Sequence, residues 1–578
     1  MKLKKVTALF LTAALSLSAL TACGSSDDKK ADGESKVENG GNTENKGDVI
    51  TIDIFDAAAN YQGVQTGWFA KVVKDRFNIE LNIISPQVAG DAIYQTRASG
   101  GNLGDIVLLD ATDFADCVKA GLVKDIKNEF KSASNLMAFQ DPIETYNASL
   151  PDNAGGIYGI PTEMVNTSPT SYSQDVIYSS PLMRWDLYKQ IGSPDIQDLD
   201  GLVDALKAMM EAHPVNDAGD LCYGLSLWPD WDGNDGMIGI ANVVQLTTWY
   251  GEKIKGSAIL KPDNSFTKII DKNASYYKIL KFLNKAQRAG VVDPDSGTQD
   301  WNAACAKMSS GQVFLMWYSW QVGFWNTQDR LNDGSAFIFI PVKDQKYYCD
   351  SDTYYGSGRV IGVGSQVDDA KYDIVMKFLD WYASPEGVVF QHNGMEGFNY
   401  TVDASGKFTI MNDNALMDNI PVPEELGGGG YSDGNNQINQ WIVGATSKNP
   451  NSGEPYSYQY WSSYKEATMT DMKKEWANKF GAAEPVDYMK AQNVLFVSPS
   501  VSVTLASDTP EISVLRNQCN QTLCDASWRM IFAKDDADFD AMWDEMVTTI
   551  EGLGFDQLYD FDCTKHQVEV DAKIKAAK

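Results

Sequence analysis

Residues 49–55 (VITIDIF) alternate apolar and polar side chains at period two, the pattern of a strand with one face against a core. Residues 68–77 follow with helical spacing, and 79–84 (IELNII) return to a strand pattern. Residues 94–99 predict a further helix and 105–109 (DIVLL) a short strand with apolar residues on both faces. A helix ends over 118–122, with Gly121 as its stop. Strand, helix, strand, helix, strand is the order of a mostly parallel sheet covered by helices. Such sheets bind ligands beyond the carboxyl ends of their strands. That rule puts 56–61 and 110–113 at a ligand face. Further on, 199–210 predict an amphipathic helix, while 223–227 and 313–316 read as strands.

Composition narrows the class. The 578 residues are too many for one ordinary core and predict two large lobes. Acidic residues number 78 against 48 basic ones, a net charge of −30, which argues against a nucleic-acid partner. Beyond Cys23 there are seven cysteines, Cys117, Cys222, Cys305, Cys349, Cys519, Cys524 and Cys563, with no CxxC spacing. They read mostly as buried thiols, with room for one or two disulfides. His213, His392 and His566 neighbour no nucleophile in sequence, so histidine catalysis and metal binding are not expected.

The amino-terminal stretch carries an address. Lys2, Lys4 and Lys5 precede an apolar run over 6–20, too short to span a hydrocarbon core of ~30 Å. Leu20-Thr21-Ala22-Cys23 resembles the lipobox of bacterial lipoproteins, in which cleavage precedes a cysteine that is then acylated. The resemblance implies a signal peptide over 1–22 and lipid, palmitate among the acyl groups, on Cys23. Residues 24–48 have almost no apolar side chains and predict a disordered tether.

Ordered motifs then carry a wider likeness. Gly104-Asp105-Ile106-Val107, Ala120-Gly121-Leu122-Val123 and Gly156-Ile157-Tyr158-Gly159-Ile160-Pro161 resemble segments of the family 1 extracellular solute-binding proteins of ABC importers, in its larger lipoprotein-type members. So do 184–192, the stretch 301–320 with Gly311-Gln312-Val313-Phe314-Leu315-Met316, the return strand 337–341, and 370–381 with Ser384-Pro385-Glu386-Gly387. The closing stretches 523–532, 534–540 and 543–554 resemble that family as well. The resemblance implies an α/β, periplasmic-binding-protein-like fold of two discontinuous lobes with a hinge and an interlobe cleft. Lobe 1 is expected over 49–170 and 336–398, and lobe 2 over 171–335 and 399–578.

Sugar recognition needs aromatic faces for C–H surfaces and planar polar groups for hydroxyls. The loop 228–235 offers both, through Trp228, Trp231 and Asp232. A second cluster, 316–320, holds Trp317 and Trp320; strict alternation puts Trp317 with Ser319 on one face and Tyr318 with Trp320 on the other. Asn60 and Tyr61 follow the first strand, Asp110 another strand end, Glu163 the YGIP turn, and Arg359 a Gly-rich turn at 356–358. The Gly-rich 427–430 with Tyr431 and the aromatic run 458–461 suit either a lid or a core. Some family members carry an acidic calcium loop before the strand resembling 223–227. Here only Asn216, Asp217 and Asp220 keep ligand character, too few oxygens for calcium.

The resemblance implies a lipid-anchored receptor on the outer side of the cell membrane, delivering an oligosaccharide to an ABC permease. It is expected to be a monomer without catalysis, metal or cofactor, touching the membrane through lipid only. A surface glycoside hydrolase, or a ligand sensor feeding a histidine kinase, are the alternatives.

Overall fold

Ile52, Ile54 and Phe55 turn into a packed interior from the strand Ile50–Asp56. In the computed structural model, which describes residues 48–90, 92–150, 155–233, 238–411, 420–503 and 505–578, this strand pairs in parallel with Ile79–Ile84 and Ile106–Asp110. The chain divides into two units, Met1–Gly47 and Asp48–Lys578. Cys23, the leader and nearly all of the tether lie outside the described residues, as do Asn234 and Asp235.

The full first sheet runs Gly63–Val64, Ile79–Ile84, Ile50–Asp56, Ile106–Asp110, Arg359–Val363, Gly159–Pro161. Helices cover it because their apolar stripes have nowhere else to go. Gly67–Phe77 buries Trp68, Phe69 and Val73 and stops at Asn78, whose φ of 55° breaks the helix. Ala111–Lys119 buries Phe114 and Cys117. Asp369–Tyr382 is capped by the Asp368 side chain, which accepts from the Lys371 amide. Ser384 caps Pro385–Asn393 in the same way.

The second lobe is mostly helical around a three-stranded antiparallel sheet of Leu315–Tyr318, Ser179–Arg184 and Phe337–Phe339. Leu199–Ala212, Ser275–Arg288, Pro510–Ile531, Asp536–Leu553 and Phe555–Ala576 are its long helices. The run 223–227 forms only isolated bridges to Val313 and Val292 rather than a strand. The seven cysteines are free thiols, five of them buried.

Two large cores sort the chain, and they differ from the expected lobe boundaries at two places. Phe337, Phe339, Tyr347 and Cys349 pack with the second lobe. Tyr400, Phe408, Tyr431, Ile442 and Trp461 pack with the first. The reason lies in 427–443, which is threaded across the strand ends of the first sheet. Trp68 stacks on Tyr431 with centroids 5.3 Å apart and planes 7° apart, and its indole donates to the Tyr431 carbonyl at 3.0 Å. Gly67 and Gly434 permit the approach: a Cβ on Gly67, at φ +83°, would stand 2.4 Å from the Gly434 Cα.

Crossing segments join the lobes. Asp352, 2% exposed, accepts from the Ser173 amide at 3.1 Å and its hydroxyl at 2.7 Å, tying one crossing to another. Thr353 donates to the Glu163 carbonyl, Lys465 pairs with Asp175 at 2.7 Å, and the Ser500 amide donates to the Pro169 carbonyl.

A buried ion network closes the far end of the second lobe. Arg516 donates from Nε to Asp508 and from Nη2 to Asp562, both at 2.6 Å, while Asp562 also accepts from the Ser257 amide and hydroxyl. Arg516→Ala would leave Asp562, 1% exposed, without its cation. We expect a loss of about 3–5 kcal/mol in urea-induced unfolding of this lobe. A loss below about 1 kcal/mol would mean that water replaces the guanidinium.

Candidate functional site

The carboxyl ends of the first sheet form one lip. Asp56 ends the strand Ile50–Asp56, Asp110 ends Ile106–Asp110, and the antiparallel strand brings Arg359 opposite Asp110 in register. The Arg359 Nε stands 3.3 Å from the Asp110 carboxylate and its Nη1 donates to the Gln440 amide oxygen at 3.1 Å. Gln440 in turn donates to the Thr162 hydroxyl and the Glu163 carboxylate, each at 3.1 Å. One hydrogen-bonded network thus joins three strand ends to the 427–443 segment. Glu163 holds a φ of 57°, unusual for a side-chain-bearing residue.

Asp56 sits beneath this network. One carboxylate oxygen accepts from the Ala58 amide at 2.8 Å, and the other is buried with no partner among the described residues. Burial pushes its pKa up to about 7, against the pull of the Ala58 and Ala59 amides and of Arg359.

The second lip is aromatic. Trp228 and Trp317 stack with centroids 5.3 Å apart and planes 5° apart, both fully buried. Trp301 lies 4.6 Å from both Trp228 and Trp231, and 5.6 Å from Trp320. Trp320 stacks on Tyr318 at 5.1 Å, and its indole approaches the Tyr178 hydroxyl at 3.4 Å. Exposure rises along this ladder, to 40% at Trp320 and 56% at Tyr178. A buried indole layer therefore backs an exposed one.

The same crossings carry both lips. The chain leaves the first sheet at Pro161, beside Glu163, and enters the second at Ser179, which is in register with Tyr318. Arg359 follows directly on the return crossing.

The sequence model of bacterial extracellular solute-binding proteins matches residues 62–389. The chain belongs to that family. Lipoprotein LipO of Bacillus subtilis is 25% identical to this solute-binding protein over 328 residues, 55% of this chain and 60% of LipO. The chain thus spans about three fifths of the length of that curated relative. Among solved structures, the ABC-transporter substrate-binding protein FusA of Streptococcus pneumoniae in complex with kestose aligns with a TM-score of 0.57 at 16% identity, over 90% of this chain and 100% of FusA. An HMO-binding, ABC-transporter-associated solute-binding protein of Bifidobacterium longum infantis aligns at 0.56 and 15%, over 91% and 99%. The N-glycan transport solute-binding protein NgtS of S. pneumoniae aligns at 0.51 and 14%, over 92% and 100%. At such identities these structures establish the fold, two α/β lobes of the periplasmic-binding-protein kind.

In this solute-binding protein the residues singled out from sequence fall into three sets. Asp110, Glu163 and Arg359 come together at the first lip, with Asn60 exposed and Tyr61 half-buried on the turn beside it. Trp231 and Trp320 reach the surface of the second lip. Trp228 and Trp317 are 1% exposed and lie in the backing layer. Asp232 is engaged in packing, accepting from the Ala241 amide at 2.8 Å and the Trp528 indole at 2.7 Å; burial raises its pKa to about 6. The expected alternation at 317–320 fails because the pairing register shifts between Met316 and Tyr318, and both the Trp317 and Tyr318 amides donate to the Gln321 side chain. Trp317 and Tyr318 are therefore both buried.

Tyr178, Trp301 and Gln440 were not singled out as contacts, and Asp56 was read only as the first residue of the 56–61 ligand face. Trp301 opens a helix, a position that would have flagged an aromatic at an element end, whereas Tyr178 precedes Ser179-Ser180-Pro181, which gives no strand signal. Gln440 lies far along the chain in a run without periodicity. At the 214–224 turn the Asn216 side chain accepts from the Ala218 and Asp220 amides, closing the loop on itself.

The raised pKa of Asp56 has a signed consequence. Between about pH 4 and 7 the folded chain holds a proton that the unfolded chain has released, so stability falls as pH rises through that window. Asp56→Asn should flatten this slope and melt higher than the parent above pH 7, as read by thermal unfolding across pH. An unaltered profile would mean that Asp56 ionises without cost.

Proposed function

We propose that this chain is a lipid-anchored receptor that holds an oligosaccharide between its lobes and delivers it to an ABC permease. The observation carrying the ligand class is the exposed pair Trp320 and Tyr178, in contact at 3.4 Å and backed by buried indoles, at the opposite end of the 162–178 crossing from the Asp110, Glu163 and Arg359 network. A pyranose has an apolar C–H face that lies on an indole and a rim of hydroxyls that bond to carboxylates, amides and guanidinium. Asp110, Glu163, Arg359, Asn60, Tyr61, Trp231 and Trp320 are the direct contacts in this reading, with Trp228 and Trp317 supporting them. Structures of the same fold described with kestose, or as N-glycan transport proteins, lend the ligand class further support.

The lobes would be 49–162 with 359–461, and 179–350 with 471–578, following the two cores; the crossings between them bend as the cleft closes. The family is extracellular, LipO is a lipoprotein, and among the described residues no helix is long and apolar enough to cross a membrane. Lipid on Cys23 would then supply the attachment, keeping the receptor beside its permease.

Two measurements test this. A thermal-shift screen should find an oligosaccharide that raises the melting temperature, since only the native state binds it. Trp320→Ala should then weaken that ligand by about tenfold, or ~1.4 kcal/mol, without lowering the ligand-free melting temperature. No shift with any saccharide would defeat the ligand class, and release of reducing ends would make the chain an enzyme. Separately, fatty-acid labelling and partition into a detergent phase should both vanish in Cys23→Ala; label retained by the variant would defeat the anchor.

A further inference from the structure

We propose that the cleft accepts electrically neutral oligosaccharides and turns away those bearing uronic acids. This deepens the oligosaccharide reading above and rests on it. The segments beside the crossings are 56–61, 110–116, 139–144, 161–166 and 353–359 in the first lobe, and 228–233, 299–303 and 317–325 in the second. Among the residues of these segments Arg359 is the sole cation; Lys465 and Lys473 line the cavity beside Asp175 and Ser319, Lys465 paired with Asp175 at 2.7 Å and Lys473 facing Glu484. Arg359 is set against Asp110, Asp113, Asp141 and Glu163 on its own side and Asp230 and Asp300 on the other.

Arg359 is moreover already engaged, by Asp110 at 3.3 Å and by Gln440 at 3.1 Å. The crowding of carboxylates is felt locally: burial first, then Asp110 and Asp116, raise the pKa of Asp113. The whole chain adds a net charge of −30. A uronate entering the cleft would therefore shed water and meet an excess of like charge, with Arg359, Lys465 and Lys473 each already set against a carboxylate. The indole faces oppose it too, since the ring quadrupole presents its negative side. A neutral sugar meets the same groups favourably. Its hydroxyls donate to the carboxylates as charge-assisted hydrogen bonds, and its C–H face lies on the rings.

The test is calorimetric titration of the full purified chain with two sets of probes. The neutral set is kestose, maltotetraose, cellotetraose, mannotetraose and lacto-N-tetraose; the anionic set is tetragalacturonate and tetramannuronate. We expect at least one neutral probe to bind and every uronate to bind at least about tenfold more weakly than the best of them. Raising salt from about 0.15 to about 0.5 M should narrow that gap, because screening weakens the repulsion. Asp110→Asn, which removes a charge and releases Arg359, should narrow it also, by about threefold or more. A uronate that matches or beats the best neutral probe overturns the proposal while leaving the oligosaccharide reading intact. So does a gap that neither salt nor Asp110→Asn moves. Failure of every saccharide in both sets defeats the oligosaccharide reading and this inference with it.

Discussion

Pro161 ends a strand of one sheet and Ser179 begins a strand of the other, and the 17 residues between them fix where everything else must stand. The buried Asp352 carboxylate ties this crossing to the returning one through Ser173. Because the return crossing runs straight into Arg359, the polar strand ends and the aromatic ladder are brought to the two sides of one set of crossings. A carboxylate shut between backbone segments in this way holds them in register while leaving each lobe its own core.

The two lips are built differently for reasons of packing. At the first sheet, parallel strands end in polar residues whose hydrogen-bonding groups would be orphaned without a cover. The 427–443 segment supplies that cover through Gln440 and Asn439, and the Gly67–Gly434 contact lets it lie close. At the second lobe, the indole pair Trp228–Trp317 fills the core below Trp231, Trp301 and Trp320, so the exposed rings rest on a rigid layer. Pre-set rings lose little freedom when a ligand arrives.

Much of the fold was legible because its signals are local. The strand at 50–56 and the helix at 67–77 follow from periodicity, and the motif Ser384-Pro385-Glu386-Gly387 opens the helix Pro385–Asn393. The order of motifs gave the family. What escaped was long-range. The assignment of 399–461 to the first core depends on Trp68 meeting Tyr431 across hundreds of residues, which no periodicity reports. The site was half legible for the same reason: Asp110 and Arg359 each end an element, but their pairing, and Gln440's bridge to Glu163, belong to the folded chain alone. At 316–320 a register shift overrode the period-two rule, burying Trp317 and Tyr318 together although alternation put them on opposite faces.

The central claim is that one ligand is held by both lips at once. Hydrogen–deuterium exchange with and without a saturating oligosaccharide probes this directly. The account predicts added protection at 56–61, 354–359 and 435–441 together with 228–233 and 317–325, and in the crossings between them. Protection confined to one lobe, or to regions away from the crossings, would contradict it.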